Sequence, residues 1–135
     1  MSILKQKSIV NIVAAESLLK ENLYAPSVHC SYYSCFQLLK YTIKEFFGID
    51  YKAQAEIISQ SRQKSHQYVV NYITSELVEL DSAIGSRRLR RAIKDLKHFR
   101  VESDYQNIEV TMNKSREALT KAKEIRSYLT TNFHI

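Results

Sequence analysis

Glycine and proline are nearly absent from this chain, with two and one respectively among 135 residues. Both punctuate turns and sheet edges, so their scarcity argues against a strand-rich fold and for long uninterrupted helices. Cysteine is as rare. Cys30 and Cys35 stand five apart on what reads as one helix, which turns their side chains to different faces. No Cys-x-x-Cys pair and no His/Cys cluster has the spacing of zinc ligands, so reduced structural thiols and no metal or other cofactor are expected. The N-terminus lacks the charged-then-apolar plan of a signal peptide. No run approaches the roughly 18 apolar residues that cross a bilayer, so no membrane role is expected and the cytoplasm is the expected location. A Gly-rich phosphate loop is missing, which excludes the P-loop and dinucleotide-binding folds. Serines are plentiful, but none is marked as an activated nucleophile.

What is present is the balance of a folded domain. Apolar residues make up 44% and charged residues 25%. The length suits one domain over residues 1–135. A net charge of +6 permits an anionic partner such as RNA, DNA or an acidic protein surface.

The periodicity is helical throughout. Ser2 can cap a first helix reaching about Tyr24, with Ile9, Ile12, Val13, Leu19 and Leu23 at helical spacing, and Ala25-Pro26 breaks it. Ser27 opens a second helix that runs to Phe47 and stops at Gly48 as a left-handed cap. Its stripe of Tyr32, Phe36, Leu39, Ile43 and Phe47 marks it as the central core helix. Residues 48–64 read as a polar connection with a helical turn near Ala53–Ile58. Ser65 caps a third helix carrying Val69, Val70, Ile73 and Leu77, followed by a loop over Asp81–Ser86. A fourth helix starts near Ser86 and carries Leu89, Ala92, Ile93, Leu96 and Phe99. The pattern lapses around Asp104. A last helix reaches about Leu129, with Ala118, Ala122, Ile125 and Leu129 alternating by fours and threes. The expected fold is all-α, an antiparallel bundle of four to five helices.

Three local features could carry chemistry. The run Arg87-Arg88-Leu89-Arg90-Arg91 covers more than one helical turn, so its arginines fan around the helix, either as phosphate-binding forks or as a solvated face. Arg91 and His98 stand seven apart on nearly the same face, about 10 Å apart along the axis. Such a pair could move a proton and steady a phosphorane-like charge, or be two unrelated surface residues. Arg100 with Asp104 and Tyr105 sits where the basic helix meets the last one. There it is a converging site, a surface ion pair, or (for Asp104) the cap of the final helix.

Taken in order, Tyr32-Tyr33-Ser34, Lys64-Ser65-His66 and Arg100-x-x-Ser103-Asp104-Tyr105 resemble the pattern of HEPN domains (higher eukaryotes and prokaryotes nucleotide-binding). The resemblance is to the small prokaryotic branch, with its Tyr-Tyr-Ala helix, Lys-Thr-His step and Arg-x-x-Ala-Asp-Tyr segment, and it spans roughly residues 25–130. It implies a helical bundle, commonly a homodimer. It further implies an RNA-targeting role, as a metal-independent endoribonuclease or toxin of a toxin–antitoxin or antiviral system. A minimal nucleotidyltransferase antitoxin is the implied partner. In active members an Arg-x4–6-His motif from each of two protomers forms the site. Here Tyr105-Gln106-Asn107 stand where the His should follow Arg100. Arg91-x6-His98 fits the formula but lacks the polar residue that usually follows the Arg. Arg100, Asp104, Tyr105 and His98 are thus the candidate catalytic residues. Arg87, Arg88, Arg91, Lys64 and His66 are the candidate RNA- or nucleotide-binding residues. The alternatives are a non-catalytic HEPN module that binds nucleotide, RNA or a partner nucleotidyltransferase, and a plain bundle with coincidental motifs.

Overall fold

Ser2 caps the first helix as its position suggests: its hydroxyl accepts from the Lys5 amide at 3.3 Å, and α1 runs over Ile3–Lys20. The computed structural model describes residues 2–61, 64–80 and 83–135. Its further helices are α2 (Tyr24–Phe47), α3 (Tyr51–Gln60), α4 (Ser65–Leu80), α5 (Ala83–Tyr105) and α6 (Met112–Phe133). The five long helices form the all-α bundle, α3 is a short addition, and no strand occurs among the described residues. No helix among them is long and apolar enough to cross a membrane.

The first break falls earlier than Ala25-Pro26. Glu21 ends α1, and Asn22 turns the chain with a left-handed φ of 60°. Asn tolerates that region through its short polar side chain. Pro26 then sits in the first turn of α2, where a missing N–H removes no helical hydrogen bond. Gly48 ends α2 as expected, at φ 73°, its amide donating to the Lys44 carbonyl at 3.0 Å.

The connection after Gly48 holds a full ten-residue helix, α3, rather than one turn. Asp50 caps it by accepting from the Ala53 amide at 2.8 Å. Gln54, fully buried, pins it to the end of α2 by donating to the carbonyls of Ile49 at 2.9 Å and Lys40 at 3.2 Å. Of the expected loop at 81–86, residues 81 and 82 lie outside the described residues, while 83–86 already belong to α5. The side chain of Leu77 also lies outside them. Helix α5 continues through Asp104, so this residue does not cap α6; Thr111 does, accepting from the Lys114 amide at 3.1 Å.

Helix α2 is the axis of the bundle and packs against α1, α4, α5 and α6. It buries Tyr32, Leu39 and Ile43, with Phe36 and Phe47 partly covered. The stripes of α4, α5 and α6 close on it through Val69, Ile73, Leu89, Ile93, Leu96, Phe99, Ala118, Ala122, Ile125 and Leu129. Truncating one of these leucines or isoleucines to Ala would cost about 2–5 kcal/mol.

The apolar stripe read from α1 is only partly its buried face: Ile12 packs against the core and Leu19 is half-buried. Ile9, Val13 and Leu23 are exposed, and Ser8 and Ala15 are the fully buried residues of α1. Small residues let α1 and α2 approach closely enough for side chains to bond the opposing backbone. Ser8 donates to the Ser34 carbonyl at 2.6 Å, Ser34 to the Ser8 carbonyl at 2.7 Å, and Ser27 to the Ala15 carbonyl at 2.7 Å. A larger side chain at Ser8 or Ala15 would push the helices apart.

Candidate functional site

The last two turns of α5 carry Arg100, Asp104 and Tyr105, and the fold turns Arg100 inward. Its side chain is only 8% exposed. The guanidinium carbon lies 5.2 Å from the Tyr32 ring centroid, 5.5 Å from Tyr33 and 5.6 Å from Tyr105. Aromatic faces offset part of the cost of burying that charge. Asp104 supplies the counter-charge at 3.7 Å, and Arg100 Nε is buried with no hydrogen-bond partner.

Asp104 is shared. His29, on the first part of α2, places Nδ1 2.8 Å from the Asp104 carboxylate and packs on Tyr33 at 4.7 Å between rings. The sequence offers no local hint of this bond, since the partners are 75 residues apart. Arg100, Asp104 and Tyr105 therefore do converge, with His29, Tyr32 and Tyr33 completing the cluster.

His98 lies elsewhere. Two residues along a helix is a rotation of about 200°, so His98 and Arg100 face opposite ways. His98 is 66% exposed at its side chain and lies 2.6 Å from the Glu102 carboxylate. Arg91 is exposed as well.

His66, in the first turn of α4, borders the Arg100 cluster. Its ring stacks on Phe36 at 4.3 Å and 16°, and its Nδ1 is hydrogen-bonded to the Tyr32 hydroxyl. Burial pulls the His66 pKa down to about 4, helped by Lys97, Arg100 and Lys40, so the ring is neutral near pH 7. Burial pushes the Tyr32 hydroxyl up, which keeps it protonated. The neutral ring carries one N–H, and which way the Tyr32–Nδ1 hydrogen bond runs follows the tautomer.

On its other side His66 lines a cleft of about 290 Å³ between α4 and α5, together with Lys64, Gln67, Val70, Asn71, Arg90, Ile93, Lys94 and Lys97. Arg90 is held there by donating to the Asn71 side-chain oxygen at 2.7 Å. Of the basic run, only Arg90 enters this cleft. Arg88 lines a separate cleft of about 240 Å³ beside Glu124 and Tyr128, while Arg87 and Arg91 are exposed. Arg90, Lys94 and Lys97 do not stand out as a set in the sequence. Their i, i+4, i+7 spacing places them on one face of α5, a signal that the denser run of arginines obscured.

Burial and the nearby Asp104 carboxylate hold the Cys30 thiol above its ordinary pKa. Both cysteines are free; Cys35 is buried, donates to the Ala122 carbonyl, and is pushed up to about 12 by burial. Among the described residues, no three His, Cys, Asp or Glu side chains gather as a metal ion would require.

Helices α1, α4, α5 and α6 closing on an aromatic-rich α2 make an all-α bundle, with the Arg-x-x-Ser-Asp-Tyr segment lying against its axis. The family model of the HEPN domain matches residues 1–132, and the chain belongs to that family. Membership ties it to nucleotide- or RNA-related function in general. No curated protein matches the chain, and no solved structure does.

Proposed function

We propose that this protein is a HEPN module that binds RNA through its phosphates along the cationic face of α5. The observation that carries this reading is the crowding of Arg87, Arg88, Arg90, Arg91 and Lys94, all exposed, onto two turns of one helix. The first carboxylate after that stretch, Asp95, lies 3.6 Å from Lys121 of α6. Cations held this close gain by meeting a polyanion and releasing its condensed counterions. In this reading a single chain does not bring Arg100 and His98 to one phosphate, because they leave the helix on opposite sides. The Arg100–Asp104–Tyr105 cluster then serves as the rigid wall beside the binding face.

Fluorescence anisotropy with a labelled single-stranded RNA at graded salt tests this. The triple change Arg87→Ala, Arg88→Ala, Arg91→Ala should weaken binding by about 10- to 100-fold at low salt and flatten the salt dependence by roughly two to three charges. An unchanged affinity or slope would sink the proposal.

A second reading, a metal-independent endoribonuclease acting as a toxin or in antiviral defence, is favoured by one observation. His66 is a neutral, hydrogen-bonded imidazole beside both Arg100 and the cationic cleft, placed to take a proton, although its lowered pKa makes it a weak base there. It requires RNA cleavage that survives EDTA, leaves 2′,3′-cyclic phosphate ends, and disappears in both His66→Ala and Arg100→Ala. A homodimer belongs to either reading, and the exposed Ile3, Val10 and Val13 of α1 suit a second copy; sedimentation velocity tests it. Partnership with a minimal nucleotidyltransferase antitoxin in the cytoplasm is tested by co-purification of the two chains.

A further inference from the structure

The cleft between α4 and α5 has an unusual charge arrangement. Lys64 comes from the residue before α4, while Arg90, Lys94 and Lys97 come from successive turns of α5. No Asp or Glu is among its described lining residues, so four like charges surround about 290 Å³ without a carboxylate between them. Each pair repels, and an anion in the cleft would turn that repulsion into attraction. The other polar groups lining it are amides, Gln67 and Asn71, and the His66 ring. Asn71 already fixes the Arg90 guanidinium. Tyr32 occupies His66 Nδ1, which leaves Nε2 as the polar atom of that ring available to an occupant. The first turn of α4 also lies here, adding the positive end of a helix dipole.

We propose that this cleft is a binding site for a terminal phosphate, meaning the phosphomonoester or polyphosphate end of a nucleotide or of an RNA strand. The proposal deepens, and rests on, the RNA-binding reading above. Charge separates a terminal from an internal phosphate. An internal phosphodiester carries one negative charge, whereas a monoester carries about −1.5 to −2 near pH 7 and a polyphosphate more. Four cations converging on one small volume match the second. Shape points the same way. A cleft near the lower end of ligand-pocket sizes takes one nucleotide-sized group. A phosphate esterified on both sides would have to lead two strands out past the converging side chains. Val70 and Ile93 give the cleft an apolar surface on which the attached sugar or base can lie. His66, held neutral, contributes a hydrogen bond without adding a fifth charge.

Direct binding measurements on the full chain test this. The probes are a short oligoribonucleotide with a 5′-phosphate, the same oligomer with a 5′-hydroxyl, and ADP with adenosine as its control. The expected result is a 5′-phosphate preference of about 5- to 10-fold, or ADP binding that adenosine does not show. Either should be abolished by Lys97→Ala and by Arg90→Ala. Arg87→Ala with Arg91→Ala, outside the cleft, should weaken both oligomers equally and leave the preference intact. A preference for the phosphorylated strand assigns the site to RNA ends; ADP binding alone assigns it to free nucleotide. Equal affinity for both strands, with ADP not bound, overturns the terminal-phosphate site while leaving RNA binding standing. ADP bound through Lys97 and Arg90 with no affinity for RNA removes the α5 reading instead. Arg90 is exposed and Lys97 half-buried, and unchanged helical circular dichroism in each variant confirms that the fold is intact.

Discussion

Two arginines are drawn into this bundle against α2, and their surroundings could hardly differ more. Arg126 of α6 donates to the hydroxyls of Ser34, at 2.9 Å, and Ser8, so one guanidinium knits α1, α2 and α6 through neutral acceptors. Burial lowers its pKa, and those serines already bond each other's backbone across the α1–α2 seam. Arg100 has three tyrosine rings, one carboxylate that is itself shared with His29, and an Nε with no partner. The first is a seam whose members are satisfied without outside help. The second balances a buried charge on a single ion pair, and one of its polar atoms is left over. A buried donor without a partner costs stability, so this corner of the bundle is satisfied less completely than the seam.

The comparison breaks most readily at Arg100. Arg100→Ala should destabilise the fold by about 2–3 kcal/mol, because it empties the buried space beneath Tyr32 and Tyr33 and leaves Asp104 with His29 as its remaining partner. Urea denaturation would read this as a lower midpoint. Arg126→Ala should cost only about 1–1.5 kcal/mol, since Ser8 and Ser34 keep their bonds to each other's carbonyl. If the two losses are equal or reversed, the contrast between seam and site is wrong.

His66 sharpens the same contrast through pH. Its folded pKa of about 4 lies below the ordinary 6.5, so between those values the unfolded chain binds the proton and the folded chain does not. Stability should therefore fall as pH drops from 6.5 towards 4, and this contribution changes no further below that. Comparing urea midpoints of the protein and of His66→Gln at pH 7 and pH 4.5 checks it: the variant should lose less. Parallel losses would mean that His66 is not held neutral by its surroundings. The smallest effect belongs to His98→Ala, within about 0.5 kcal/mol, because the side chain is mostly in solvent. A larger loss would place His98 in a contact that its exposure denies.

The legible parts of the chain were those in which a residue's neighbours along one helix decide its fate. The stripes of α2, α4, α5 and α6, the Ser2 and Gly48 caps, and the Arg100–Asp104 spacing are all of this kind. Helix α1 was legible only in part, at Ile12, because its fully buried residues are Ser8 and Ala15, and hydrophobic periodicity is blind to a contact built from small residues. Pro26 misled because a proline ends a helix only from its interior.

The family was thus legible in the sequence, which alone carries the HEPN match over residues 1–132. Which way each side chain points was not. The pairing of His29 with Asp104, of Tyr32 with His66, and of Lys64 with Arg90, Lys94 and Lys97 joins residues from different helices. The rotation and depth at which α4 and α5 dock on α2 decide those meetings. That docking is set by the packing of the whole core, and no local spacing encodes it.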